Sequence, residues 1–162
     1  MTSKVNVLFC CMGNICRSPT AEAVFRHYVD EAGLSDCIYI DSAGTHDYHI
    51  GDPPDTRALR AAKLRGYDMS GLRGRQVRTE DFSRFDYVLA MDEANLSILQ
   101  RLRPRDAQSY LGLFLEFAGQ HEEREVPDPY YGGADGFEQV LNMVEDAADG
   151  LLKHIRQNDL TA

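Results

Sequence analysis

The stretch Val5-Asn6-Val7-Leu8-Phe9-Cys10-Cys11-Met12-Gly13-Asn14-Ile15-Cys16-Arg17-Ser18-Pro19 decides how this chain folds. Val5 to Phe9 is a short apolar run of β-formers, suited to a strand buried on both faces. A Gly-Asn turn ends it. Ser18-Pro19 then opens a helix, with Ser as N-cap and Pro at the first helical position. Ala21, Val24, Phe25 and Tyr28 supply the apolar stripe of that helix, and Gly33 stops it.

The same alternation continues outward. Ile38-Tyr39-Ile40 reads as a second strand, and a loop of Gly, His, Asp and Pro residues follows from Gly44 to about Asp55. A helix through Leu59, Ala62 and Leu64 closes at Gly66. Tyr87 to Met91 reads as a third strand and Glu93 to Leu102 as the next helix, with a fourth strand in the first half of Ser109–Phe117. Asp135 caps the last helix, with Glu138 three residues on, and Phe137, Val140, Leu141, Val144, Ala148, Leu151, Leu152 and Ile155 carry the helical period. No repeat, low-complexity tract or linker interrupts the chain. The pattern predicts a single α/β domain over 1–162, a three-layer α/β/α fold with a four-stranded parallel, doubly wound sheet. Ligands in such sheets bind beyond the carboxyl ends of the strands, which favours the loop after the first strand.

That loop has the residues for an anion site. A loop curling into a helix N-terminus aims several backbone N–H groups at one point, reinforced by the helix dipole. Gly13 and Asn14 tolerate the positive φ that the curl needs. Arg17 adds a planar fork able to hold two phosphate oxygens at once. A thiol at the centre of such a field, here Cys11, favours its ionised, nucleophilic form. An anion cradle with a thiolate on its floor is a phosphoryl-transfer site. Other phosphate loops are absent: there is no Gly-x4-Gly-Lys and no Gly-x-Gly-x-x-Gly.

Composition narrows the partners. A net charge of −9, from 17 basic and 26 acidic residues, excludes long-range attraction to nucleic acid or an anionic membrane. No apolar run spans a bilayer and no signal peptide opens the chain, so a cytoplasmic protein is expected, a monomer or weak dimer. Three of the four cysteines crowd into one segment, which suits neither a disulfide framework nor paired zinc ligands. His46 and His49 flank Asp47 in an irregular loop that fixes no metal geometry. No metal or other cofactor is expected.

At these residues the chain resembles the low-molecular-weight protein tyrosine phosphatases. The resemblance runs through Cys11–Glu22, Asp41-Ser42-Ala43-Gly44-Thr45, Asp86–Asp92 and Asp128-Pro129-Tyr130-Tyr131. It implies a metal-independent phosphocysteine mechanism on phosphotyrosine proteins or small aryl phosphates, with inorganic phosphate as product. By the same resemblance Cys11 is the nucleophile and Arg17 binds phosphate and stabilises the transition state. Met12, Gly13, Asn14, Ile15, Cys16 and Ser18 complete the phosphate loop. Ser18 and Ser42 support it with their hydroxyls, Ser18 easing thiolate formation, and Asn14 fixes the curl. Cys16 is implied as a thiol able to join Cys11 in a reversible disulfide. Asp128 is implied as the general acid.

An acid there makes chemical sense, because an expelled phenoxide leaves faster when protonated in the transition state. Asp-Pro is also a common turn opener, and Asp52-Pro53 offers the same dipeptide as a rival. Tyr48, Tyr130, Tyr131 and Met12 give aromatic and apolar walls that accept a flat phenyl phosphate.

Two departures from the family pattern stand out. Cys10 replaces an aliphatic residue and reads as a small core hydrophobe. Met69 to Arg75 lacks the family's usual sequence, including a histidine. Three other functions compete. Thioredoxin-coupled arsenate reductases relay a disulfide through two further cysteines, yet none follows Asp41 here. Arginine phosphatases usually carry Thr in place of Ile15. A mere phosphate-binding module needs neither thiol nor acid.

Overall fold

The computed structural model describes residues 4–129 and 135–160. Strands β1 (Val5–Cys11), β2 (Ile38–Gly44), β3 (Tyr87–Ala90) and β4 (Tyr110–Leu113) pair in parallel in the order β2-β1-β3-β4. Helices α1 (Arg17–Glu31), α2 (Thr56–Leu64), α3 (Asp81–Arg84), α4 (Glu93–Leu102) and α5 (Gly136–Asn158) complete the order of elements. The sheet first winds from β1 to β2 and then crosses to β3 on the other side. That reversal opens a crevice at the carboxyl end of β1.

Strand periodicity sorts β1 onto two cores. Val5, Val7, Phe9 and Cys11 face one side, in a cluster with Phe25, Val140, Val144 and Leu151 of α1 and α5. Phe9 meets Phe25 and Phe114 edge-on, with ring centroids 5.7 and 4.9 Å apart. Such pairs add about 0.5–1.5 kcal/mol each beyond the buried area. Leu8 and Cys10 face the other side, against Phe82, Val88 and Leu99. Cys10 is therefore core filling, on the opposite face of the strand from Cys11.

Several element ends differ from the sequence reading, each for a tertiary reason. β2 extends through Asp41–Gly44, because β1 pairs with it up to Cys11↔Gly44. The ladder runs on into the loops, with Thr45 N–H donating to Cys11 O at 2.8 Å and His46 N–H to Met12 O at 3.0 Å. α1 begins at Arg17 with Cys16 as its N-cap and no side-chain cap. Ser18 is not the cap; its hydroxyl is committed to the site described below. Asp135 precedes α5, but its side chain makes no capping bond there. Leu64 does not join the core face of α2 and is 80 % exposed, since only Ala58 and Ala62 of that helix are buried. The short α3 carries too few residues for a periodic signal. Beyond β4 the chain turns into one 3₁₀ segment, Phe114–Phe117, which explains why Ser109–Phe117 read ambiguously.

α5 lies tightly on that segment. A Cβ added to Gly150 would collide with the Phe117 carbonyl oxygen, a backbone atom that cannot swing aside. Gly150→Ala should therefore cost about 3 kcal/mol, despite the better helix propensity of Ala. Urea unfolding checks it, and an unchanged midpoint would refute this packing.

Candidate active site

The carboxyl end of β1 delivers Cys11 to the floor of a cleft of about 170 Å³. Met12, Gly13, Ile15, Cys16, Arg17, Tyr48, His49 and Asp128 form the rest of its lining. Only 3 % of Cys11 is exposed, all that a narrow cleft floor requires. The loop curls at Asn14, whose φ of 59° is the sole positive value at a non-glycine residue among the described residues. That curl carries Asn14 N–H over the sulfur, 3.3 Å from Cys11 Sγ. α1 starts immediately afterwards, and its first-turn amides have no side-chain cap. They are the donors that an anion would satisfy.

A directional hydrogen-bond chain supports the sulfur from behind. Ser42 Oγ donates to the buried Glu22 Oε1 at 2.6 Å, so it accepts from Asn14 Nδ2 at 3.0 Å. Asn14 Nδ2 also donates to Ser18 Oγ at 2.8 Å, which leaves the Ser18 hydrogen for Cys11 Sγ, 3.0 Å away. The Arg75 backbone N–H, 3.0 Å from Asn14 Oδ1, sets which end of the amide faces the hydroxyls. Burial pushes the Glu22 carboxyl up, against the lowering effects of the Ser42 hydrogen bond and of Arg26. The chain thus aims both an N–H and an O–H at one sulfur.

The neighbouring thiols are held neutral. Burial first, then the negative charges of Asp55, Cys11 and Asp128, pushes the Cys16 thiol well up. Burial likewise raises Cys10, with Cys11 adding to it. Cys11 alone of these three meets donors over a solvent-reached cleft. All four cysteines are unbridged.

Arg17 is 2 % exposed and pinned from behind. Its Nη1 donates to Asp92 Oδ2 at 2.6 Å and to Val126 O at 3.0 Å, while Nη2 lies 3.8 Å from Asp128 Oδ2. Burial works against its charge, but Cys11, Asp92 and Asp128 outweigh it and raise the guanidinium pKa. Asp92 also caps α4 through Oδ1 to Asn95 N–H, 2.8 Å. One carboxylate therefore ties Arg17 to a rigid helix. Asp92→Asn keeps a capping oxygen but removes the charge. It should lower kcat about 10- to 100-fold with little change in thermal unfolding, and a fall in stability with kcat intact would assign Asp92 to capping alone.

The sequence-derived residues divide plainly. Cys11, Met12, Gly13, Ile15, Cys16, Arg17, Tyr48 and Asp128 meet at the cleft, with Asn14, Ser18 and Ser42 directly behind it. Asp52, the rival acid, is outside the lining and pairs with His49 at 3.2 Å. Tyr130 and Tyr131 lie outside the described residues. His46 stacks on Tyr48, centroids 5.0 Å apart, while His49 pairs with Asp52. No group of three or more metal-ligating side chains occurs among the described residues.

Sequence reasoning gave Asp92, Glu22 and His49 no place in the site. Asp92 stands at the carboxyl end of β3, where site residues of such sheets gather. Glu22 is a carboxylate on the buried side of α1. His49 packs against Gly13, where an added Cβ would fall 2.9 Å from His49 Cδ2.

Comparison with known proteins gives this geometry a context. The family described as low molecular weight phosphotyrosine protein phosphatase matches residues 6–160. A phosphatase of that name from Schizosaccharomyces pombe is 44 % identical over 156 residues, 96 % of this chain and 99 % of its own. The crystal structure of a protein tyrosine phosphatase from Entamoeba histolytica, with Hepes in its active site, superposes with a TM-score of 0.93. It is 38 % identical and covers 97 % of this chain and 100 % of its own. A Drosophila arginine phosphatase structure superposes with a TM-score of 0.87 at 32 % identity, covering 94 % of this chain and 99 % of its own. The thiol-floored cleft, the parallel sheet that presents it and these matches along nearly the whole chain have one reading: the protein belongs to the low molecular weight phosphotyrosine protein phosphatase family.

Proposed function

We propose that this protein is a phosphomonoesterase directed at phosphotyrosine, acting through a phosphocysteine on Cys11. One observation carries the reading: Cys11 Sγ receives Asn14 N–H and Ser18 Oγ in a cleft that also holds Arg17 and Asp128. Nothing in a passive anion site calls for a sulfur and a carboxyl in one small space.

The chemistry runs in two displacements. The Arg17 fork and the loop amides hold the non-bridging phosphate oxygens, neutralising charge where it builds up. The Cys11 thiolate attacks phosphorus, an S–P bond forms, and the P–O bond to the leaving group breaks. Asp128 gives its proton to that departing oxygen. In the second step the Asp128 carboxylate takes a proton from water, which attacks phosphorus and breaks the S–P bond. Phosphate leaves and the thiolate returns. No metal is needed in either step.

Walls of Met12, Ile15 and Tyr48 favour an aryl phosphate over a short polar one. Ile15 also speaks for phosphotyrosine over phosphoarginine, because Thr is usual there in arginine phosphatases. Four unbridged thiols suit a reducing compartment, which supports a cytoplasmic setting. No helix among the described residues is long and apolar enough to cross a membrane.

Rapid-mixing kinetics on nitrophenyl phosphate should give a burst of nitrophenol, with mass spectrometry finding phosphate on Cys11. Turnover without phosphate on that sulfur would refute the mechanism. Faster hydrolysis of phosphoarginine than of phosphotyrosine would move the substrate to the arginine class.

A further inference from the structure

The chain is acidic overall, yet one face is not. Residues 56–75 carry six of the 17 basic residues and one of the 26 acidic ones. Most of those charges are already used within the fold. Arg65 pairs with Glu138 and Glu145, and Arg75 with Asp41 and Asp81. Arg57 is engaged with Asp55 and lies 5.0 Å over the Phe137 ring. Arg60 and Lys63 are different. They stand three apart on one side of α2, exposed, and neither hydrogen-bonds nor ion-pairs with any described residue.

Both line a groove that runs along α2, with Thr56 at one end and Leu59, Tyr67 and Met69 as its apolar floor. Its single carboxylate, Asp68, is turned onto Ser70, accepting from the backbone N–H at 2.9 Å and from Oγ at 2.7 Å. The start of α2 is tied to the wall of the catalytic cleft. Asp55, the residue before Thr56, donates its N–H to Ile15 O at 2.9 Å, and Ile15 is part of the cleft wall.

We infer that this groove is a docking surface for the chain that flanks the phosphotyrosine, and that it selects an acidic flank. The inference rests on the phosphatase reading above. Charge complementarity points to the occupant: two exposed cations, neither hydrogen-bonded nor ion-paired to a described residue, stand beside an apolar floor on a protein whose net charge of −9 otherwise disfavours acidic peptides. From Thr56 to Lys63 the helix rises about 11 Å, the span of about three residues of extended peptide. Acidic side chains within about three to five residues of the phosphotyrosine, on one side of it, reach Arg60 and Lys63. A buried or internally paired arginine could not serve, because its charge is already compensated.

The test compares two phosphotyrosine peptides, one with Asp and Glu in the flanking positions and one with Ser and Asn, alongside nitrophenyl phosphate. For the parent protein, kcat/KM should favour the acidic peptide about tenfold at low salt, and 0.5 M salt should erase most of that preference. Arg60→Glu with Lys63→Glu should remove or invert it, through KM, while leaving nitrophenyl phosphate hydrolysis unchanged. Both side chains are exposed and hydrogen-bond to no described residue, so the change costs the fold only the attraction between Lys63 and the exposed Asp68. Equal handling of the two peptides, with nitrophenyl phosphate still hydrolysed, overturns the docking surface and leaves the phosphatase reading standing. Absence of all hydrolysis overturns both. Sedimentation with vesicles of phosphatidylcholine and phosphatidylserine, lost in the same double variant and unaccompanied by any peptide preference, assigns the face to a membrane instead and also overturns it.

Discussion

Cys11→Ser leaves a protein that binds phosphate but does not turn over nitrophenyl phosphate, with a loss of at least about 10⁴-fold. The reason is specific to the ionisation of the atom. A serine hydroxyl in the same place receives the same two donors, yet a hydroxyl is a far weaker acid than a thiol and stays protonated. Ser18 Oγ already accepts from Asn14, and Asn14 N–H is itself a donor. The cradle of Arg17 and the loop amides survives the change, because Arg17 is fixed by Asp92 and Val126 and not by the sulfur. Phosphate binding by calorimetry should therefore persist while turnover disappears. Residual turnover within tenfold of the parent would mean that another group attacks phosphorus, and the phosphocysteine would have to be abandoned.

Asp128→Ala should slow phenyl phosphate hydrolysis about 10²- to 10⁴-fold, the usual worth of a placed proton donor. Nitrophenyl phosphate should suffer less, since nitrophenoxide departs without help. The dependence of rate on leaving-group pKa should steepen accordingly. The side chain is 28 % exposed and lies 3.8 Å from Arg17, so the variant also takes one negative neighbour from the guanidinium. That second effect acts on all substrates alike, and the comparison between leaving groups separates the two. Equal losses on both substrates would assign Asp128 to holding Arg17. A matching series on Asp52→Ala should change little, since Asp52 is not part of the lining and touches it only through His49.

Family membership and the parallel four-stranded sheet were legible before any coordinates, and local signals account for this. α4 spans Glu93–Leu102 as read from the sequence, because Asp92 caps it and its stripe is unbroken. Gly33 and Gly66, at φ of 72° and 90°, end α1 and α2 where a left-handed residue must. The start of α1 was misread for an equally physical reason. Ser18-Pro19 is an ordinary helix opener, but here the serine hydroxyl is claimed by a sulfur seven residues earlier. Propensity describes what a residue does with its neighbours in sequence, and such a claim comes from outside them.

By itself the sequence determined the strand-loop-helix unit around Cys11, the alternation that stacks a parallel sheet, and the pairing of a thiol with Arg17 across a curled loop. Those features are written in short windows, where side-chain period, turn residues and capping act directly. Tertiary structure alone decided which groups serve that loop from a distance. Asp92 arrives from 75 residues away, Asn14 is oriented by an amide 61 residues on, and Ser42 by Glu22 across 20. It also set Asp128 in the cleft lining and left Asp52 outside it, although the two are identical dipeptides in sequence. Ion pairs and hydrogen bonds act over a few ångströms, and only the folded sheet brings such separated residues within that range.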